Sequence, residues 1–303
     1  HSDIVITSGC QAALTLALKL CCQPGDIVAI ESPTFYVLLQ IIESLGLKAI
    51  EIPTHPESGL NVGALRLALE QWPVKACILI PHFGNPLGHL MSEEDKLEFL
   101  SVIGEYDLPV IEDDIYGDLS FSQERPVPMI EMGYDNVIYC SSFSKTISPG
   151  LRVGWIASKR YQDKLEYLQY VNSLSASTLS QRALSHYLAK GTYDSHLRRV
   201  RMTYRHQIQE ITRLIEKYFP GNTKVSQPAG GFVLWLELSR KVDTLELYRA
   251  ALTKKISVAP GPMFSASGKY KNYLRLNCAL PLDGRLEWAI MTLADLVEVL
   301  QDQ

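Results

Sequence analysis

The sequence predicts an α/β fold: a large, mainly parallel sheet flanked by helices over residues 1–219, then a smaller C-terminal α+β unit over 220–303. Three observations predict it. Short runs that are apolar on both faces recur along the first half of the chain, as the central strands of a covered sheet require. Helical patterns separate those runs, which favours parallel strands joined by helices. After about residue 160 the pattern turns mainly helical, and strand patterns resume beyond the "FPGN" at 219–222.

Taken in order, Gly9 precedes a helical pattern, "QAALTLALKLCC" at 11–22. "DIVAIE" (26–31) reads as a buried strand and "YVLLQIIESLG" (36–46) as the helix after it. "ACILIP" (76–81) is a second strand, followed by the helical "SEEDKLEFLSVIGEY" (92–106). "LPVIED" (108–113), "NVIYCS" (136–141) and "VGWIAS" (153–158) complete the strands of the first unit. "RYQDKLEYLQYVN" (160–172) and the long segment 193–219 carry the helical stretch. "NTKVSQPAGGFVLWLEL" (222–238) opens the second unit. The chain shows no internal repeat and no low-complexity segment.

Composition narrows the classes. The 303 residues are 47% hydrophobic and 20% charged, enough for one large core or two units. No apolar run reaches eighteen residues, so a membrane span is not expected. The opening "HSDIVITSG" lacks a methionine and the regions of a signal peptide, and reads as an internal point of a longer protein. The net charge of −4 argues against a nucleic-acid face on this part of the chain. Its one basic concentration, "HLRRVRMTYRH" at 196–206, is spaced as the wet side of a helix. The six cysteines form neither a CxxC pair nor a zinc spacing, which points to a reduced, cytoplasmic protein. Glu112 and Asp114 have no histidine beside them in the sequence, so no metal site is expected.

Ligands in open α/β sheets sit outside the carboxyl ends of the strands. Three polar signals fall there: Asn85 in "NPLG", Asp113 in "EDDIY" and Lys145 in "SSFSK". They lie 28 and 32 residues apart, about one strand–helix unit each time, which suggests one shared site. Gly9 stands at a helix start, where free backbone N–H groups attract phosphate. Ser142, Ser144 and Arg152 can add hydroxyls and a bidentate cation to the same anion. Lys145 beside them has the chemistry to bond covalently to an aldehyde. "SFSK" also fits the S-x-x-K of serine acylases, but the companion S-D-N and K-T-G motifs are missing.

As a set, "SGCQAAL", "NPLG", "EDDIY", "SSFSKTISPGLRVGW" and "YLRLN" are similar in order and spacing to the fold-type I pyridoxal-phosphate aminotransferases. The resemblance spans nearly the whole chain. It implies that Lys145 forms the internal aldimine and moves the proton. It implies that Asp113 pairs with the pyridine nitrogen, that Asn85 and Tyr116 donate to the ring 3-oxygen, and that Phe35 stacks on the ring, with Tyr36 as competitor. Gly9, Cys10, Ser142, Ser144 and Arg152 match phosphate contacts, and Arg275 matches the arginine that grips the substrate carboxylate.

A narrower resemblance joins "PHFGNPLGHLMSEEDK", "HLRRVR", "QPAGGFVLWLEL" and "VAPGPMFSASGKYKNYLRLNCA" to the aminotransferase-like domain of MocR-type regulators in the GntR family. It implies a homodimeric module that senses an amino acid, an amine or pyridoxal phosphate itself. DNA binding would belong to a winged helix-turn-helix preceding this chain. The other class is an aminotransferase proper, moving an amino group between an amino acid and a 2-oxo acid. Leu87, in place of the threonine of "N-P-T-G", favours the regulator group. Both classes carry a further segment ahead of the first helix, which this sequence lacks.

Overall fold

A computed structural model describes residues 4–122 and 124–302. In chain order the elements are β1 (Ile4–Thr7), α1 (Cys10–Cys21), β2 (Ile27–Ser32), α2 (Tyr36–Ser44), β3 (Lys48–His55), β4 (Gly59–Leu60), α3 (Val62–Gln71), β5 (Val74–Leu79), α4 (Glu93–Glu105), β6 (Val110–Asp113), β7 (Val137–Ser142) and β8 (Gly154–Ala157). There follow α5 (Gln162–Ser173), α6 (Thr178–Ala189), α7 (Tyr193–Tyr218), β9 (Lys224–Val225), β10 (Val233–Glu237), α8 (Thr244–Thr253), β11 (Ala259–Pro260), β12 (Tyr273–Asn277) and α9 (Gly284–Gln301).

The first eight strands form one sheet in the order β1-β8-β7-β6-β5-β2-β3-β4. β3, β2, β5, β6 and β7 run parallel. β8 is antiparallel to β7, and β1 to β8. The chain moves outward from β2 to β3, then returns to place β5 on the other side of β2. That reversal opens a crevice at the carboxyl ends of β2 and β5, where open sheets take their ligands.

Both faces of this sheet are covered. On one, Ala13, Leu14, Ala17 and Leu18 of α1 pack with Leu38 and Ile42 of α2 onto Val28, Ile30, Ile111 and Ile138. On the other, Leu65 of α3 and Phe99 and Ile103 of α4 meet Ala29, Leu79, Val110 and Val137. Alternate residues of one strand serve opposite cores, so both must be apolar. Each fully buried leucine in these layers stabilises the fold by about 2 kcal/mol. α4 starts sharply because Ser92 and Asp95 form a reciprocal capping box.

The second sheet, in the order β11-β12-β10-β9, is antiparallel throughout. Its core joins Leu234 and Leu236 of β10 to Leu247, Ile290 and Leu293. Ile208, Ile211 and Ile215 from the last half of α7 enter the same core. α7 thus begins beside the large sheet and ends as part of the second core. No helix among the described residues is long and apolar enough to cross a membrane.

Candidate functional site

The residues singled out in the sequence meet at the carboxyl edge of the large sheet. The register places Thr7 of β1, Gly154 of β8 and Ser142 of β7 in one row there. The chain leaves β1 through Ser8 and Gly9, the N-cap of α1, with φ at 100°. The first amides of α1 have no acceptor within the helix and, with its dipole, favour an anion. Arg152, itself left-handed at φ 51°, crosses this turn and donates from Nη2 to the Ser8 carbonyl at 2.8 Å. A Cβ on Gly9 would lie 2.5 Å from that nitrogen, and one on Gly154 would lie 2.6 Å from the Gly9 carbonyl carbon. Glycine at both positions therefore lets the two turns close around one small concavity. Ser144 lines it, and its backbone N–H donates to Oγ of the buried Ser142 at 3.3 Å.

Asp113, the last residue of β6, is 5% exposed and faces the same pocket. Burial raises its carboxyl to about 7, helped by the charge of Asp114 and opposed by the Cys10 thiol, the Ile115 amide and Lys145. Cys10 donates from Sγ to Asp113 Oδ1 at 3.2 Å. Its side chain thus serves the carboxylate end of the pocket, while only its backbone remains at the helix start.

Lys145 lines the same pocket. Burial holds its amine below the ordinary range, followed by the positive charge of Arg275 and then of Arg152, with Asp113 pulling the other way. A lysine so placed loses its proton more readily and becomes a nucleophile. Asn85 and Tyr116 are both buried on the pocket wall. Burial pushes the Tyr116 phenol up, so it stays protonated and can donate. Arg275, within β12, donates from Nη1 to Asn85 Oδ1 at 3.4 Å, while its buried Nε has no partner among the described residues. Phe35 caps α2 and lines the pocket. Tyr36 turns away to meet the edge of Phe264, at 5.8 Å between centroids.

Cys10, Phe35, Asn85, Asp113, Tyr116, Ser144, Lys145 and Arg152 all line this one pocket. Gly9 and Ser142 stand directly behind it, and Arg275 reaches it through Asn85. Sequence reasoning did not reach Ile80, Ile115 and Pro149, which fill the wall between the polar groups. It also found no histidine near Asp114. The structure corrects that: His82, distant in sequence, sits 2.7 Å from the Asp114 carboxylate. Arg125 and Tyr139 take the other carboxylate oxygen, and no metal-binding cluster occurs among the described residues. A wider cleft of about 1100 Å³ follows the exposed arginines of α7 but contains none of the strand-end residues.

A half-buried lysine, a buried carboxylate and a glycine-bounded helix start in one pocket, on a sheet of this topology, match the fold-type I pyridoxal-phosphate class. The chain belongs to the class I and II aminotransferase family, whose sequence model matches residues 1–292. It is 46% identical to an uncharacterized HTH-type transcriptional regulator, YjiR of Escherichia coli, over 97% of this chain and 63% of that protein. It is 32% identical to aromatic-amino-acid aminotransferase 1 of Thermococcus litoralis, over 98% of this chain and 72% of that enzyme. Its fold superposes on LysN, the α-aminoadipate aminotransferase of Thermus thermophilus, with a TM-score of 0.93 at 30% identity, covering 99% of this chain and 78% of that one. LysN was solved with N-(5'-phosphopyridoxyl)-L-leucine. The chain thus spans less than two thirds of the length of the regulator it resembles.

Proposed function

We propose that this chain is the pyridoxal-phosphate-binding, effector-sensing domain of a MocR-type transcription regulator. The observation that carries the cofactor site is the convergence of Lys145, Asp113 and the Gly9–Arg152 turn in one pocket. The residues present fit the cofactor. The two glycines leave room for a phosphate, Asp113 is a buried carboxylate at the opposite end, and the Arg275 Nε lacks an acceptor that a ligand can supply. When bound, pyridoxal phosphate supplies an aldehyde and a ring that withdraws electrons from an attached amine.

The chain's own residues then divide the work. The α1 amides, Ser142, Ser144 and Arg152 hold the phosphate. Asp113 keeps the ring nitrogen protonated. Asn85 and Tyr116 orient the ring at its 3-oxygen, and Phe35 covers one face. Lys145, its amine held below the ordinary range, would be the group that meets the aldehyde and would hold the transferable proton at Nζ. Arg275 grips the carboxylate of an amino acid with a planar fork. An amino acid, an amine or the cofactor itself is the effector, and the domain works in the cytoplasm.

The regulator reading is favoured by the 46% likeness to YjiR and a further 40% likeness to the regulator YdcR. The second reading, an aminotransferase, is favoured by the complete set of pocket residues and the likeness to LysN. A homodimer is supported by Tyr167, Tyr170, Val171 and Leu174, which form an exposed apolar stripe at helical spacing along and just past α5. The experiment loads the full-length parent with pyridoxal phosphate and adds a panel of amino acids and amines. Spectral change without sustained release of a 2-oxo acid supports sensing. Turnover of about one per second or faster, the low end of ordinary enzymes, overturns it in favour of the aminotransferase.

A further inference from the structure

Asp113 and Asp114 are consecutive at the end of β6, so their side chains leave on opposite faces. Asp113 looks into the pocket. Asp114, 1% exposed, looks toward α4. There its Oδ1 meets Nδ1 of His82 at 2.7 Å, and its Oδ2 accepts from Arg125 Nη2 at 2.5 Å and from the Tyr139 hydroxyl at 2.9 Å. The other ring nitrogen of His82 lies 2.9 Å from Nζ of Lys96, which also donates to the Val127 carbonyl at 2.7 Å. A lysine ammonium only donates. Nε2 of His82 is therefore the acceptor, and Nδ1 carries the hydrogen given to Asp114. His82 and Lys96 are both essentially without exposure, so water does not compete for these bonds.

The placement of His82 gives this network a use. It stands three residues before Asn85, and Asp114 directly follows Asp113. Their bond ties the loop after β5 to the end of β6. Those two segments carry the residues assigned above to the 3-oxygen and to the nitrogen of the cofactor ring. The two segments differ in support: Asp113 is still held in β6 by its pairing with Cys140, whereas β5 ends at Leu79 and the loop that carries Asn85 lies beyond it. We propose that His82, held in one tautomer by Lys96, is a positioning residue that sets the spacing of Asn85 and Asp113 across the cofactor ring. Asp114 is the fixed point it holds. Its main chain is pinned as well, its N–H donating to the Cys140 carbonyl at 2.9 Å and its carbonyl accepting from Ser141 Oγ at 2.8 Å. A histidine ring gripped at both nitrogens is a rigid spacer, and a displacement of an ångström at such a contact is enough to lose it.

The inference rests on the cofactor reading, and the test separates the two. Binding of pyridoxal phosphate and of 3-deoxypyridoxal phosphate, which lacks the ring oxygen, is titrated against the parent, His82→Phe and His82→Asn. His82→Phe should bind pyridoxal phosphate about tenfold more weakly, the loss of one hydrogen bond, and the deoxy analogue within about twofold of the parent. His82→Asn, which keeps an N–H toward Asp114, should recover part of the loss. Equal weakening of both ligands would mean a merely structural role and overturn the proposal, as would no weakening of either. If His82→Phe does not fold, Lys96→Met takes its place with the same ligand contrast, alongside the ¹⁵N spectrum of His82. There Nε2, no longer an acceptor for Lys96, should take up a proton while Nδ1 keeps its hydrogen toward Asp114, and an unchanged spectrum with parent-like binding of both ligands overturns the proposal. A parent protein that does not bind pyridoxal phosphate at all sinks the cofactor reading, and the inference with it.

Discussion

Two neighbouring carboxylates, Asp113 and Asp114, receive opposite treatment. Asp114 has a histidine, an arginine and a tyrosine as partners, which outweigh its burial and hold it below the ordinary range. Asp113 has a thiol and a backbone amide, and burial wins, lifting it to about 7. The sign for stability follows. Between an unfolded value of about 4 and the folded value of about 7, the folded protein binds the extra proton. The contribution of Asp113 to stability is full at low pH and is lost as pH rises through 7. Asp113→Asn cannot ionise, so the cofactor-free variant should gain on the parent in melting temperature as pH climbs from about 4 to about 7, the window of this shift. A difference that stays flat across that range would remove the claim. In the loaded protein the same change should leave the cofactor bound but slow conversion of an amino donor roughly a hundredfold, about 3 kcal/mol. Arg275→Ala should weaken binding of carboxylate ligands by about 2 kcal/mol, roughly thirtyfold, and leave simple amines little changed. Titration of the two ligand sets checks it.

At the scale of elements, the end of the pocket proposed for the phosphate depends on how closely α1 approaches β8. Gly9→Ala would force a side chain onto a φ of 100° and into the Arg152 guanidinium. The cost should be about 1–3 kcal/mol of stability, with a larger loss of cofactor affinity than of melting temperature. The strand-end motifs were readable because each sits within a few residues of its strand: Asn85 after β5, Asp113 closing β6, Lys145 just beyond β7. The direction of β8 was not readable, since "VGWIAS" is apolar on both faces whichever way it runs. β3 escaped notice because its residues are mostly half-exposed or exposed and show no apolar run. The side-chain direction of Cys10 and the His82–Asp114–Lys96 chain depend on which strands are neighbours. No local pattern encodes that, because the partners come from separate strands and helices.

At the scale of the whole molecule, the chain couples a cofactor pocket in one sheet to a second core through α7 and Arg275. Sensing needs only that a ligand bind two arrangements of these units with different affinity. The exposed stripe along and just past α5 gives the proposed homodimer a testable face, and Leu174→Asp should then shift the parent from dimer to monomer in sedimentation. Unchanged sedimentation would move the interface elsewhere. The central claim is that Lys145 is where the cofactor attaches. Protein loaded with pyridoxal phosphate is reduced with borohydride, digested and mapped by mass spectrometry. A phosphopyridoxyl group is expected on the peptide containing Lys145 and none on that site in Lys145→Ala; stoichiometric labelling of any other lysine, or no labelling, would contradict Lys145 as the attachment point.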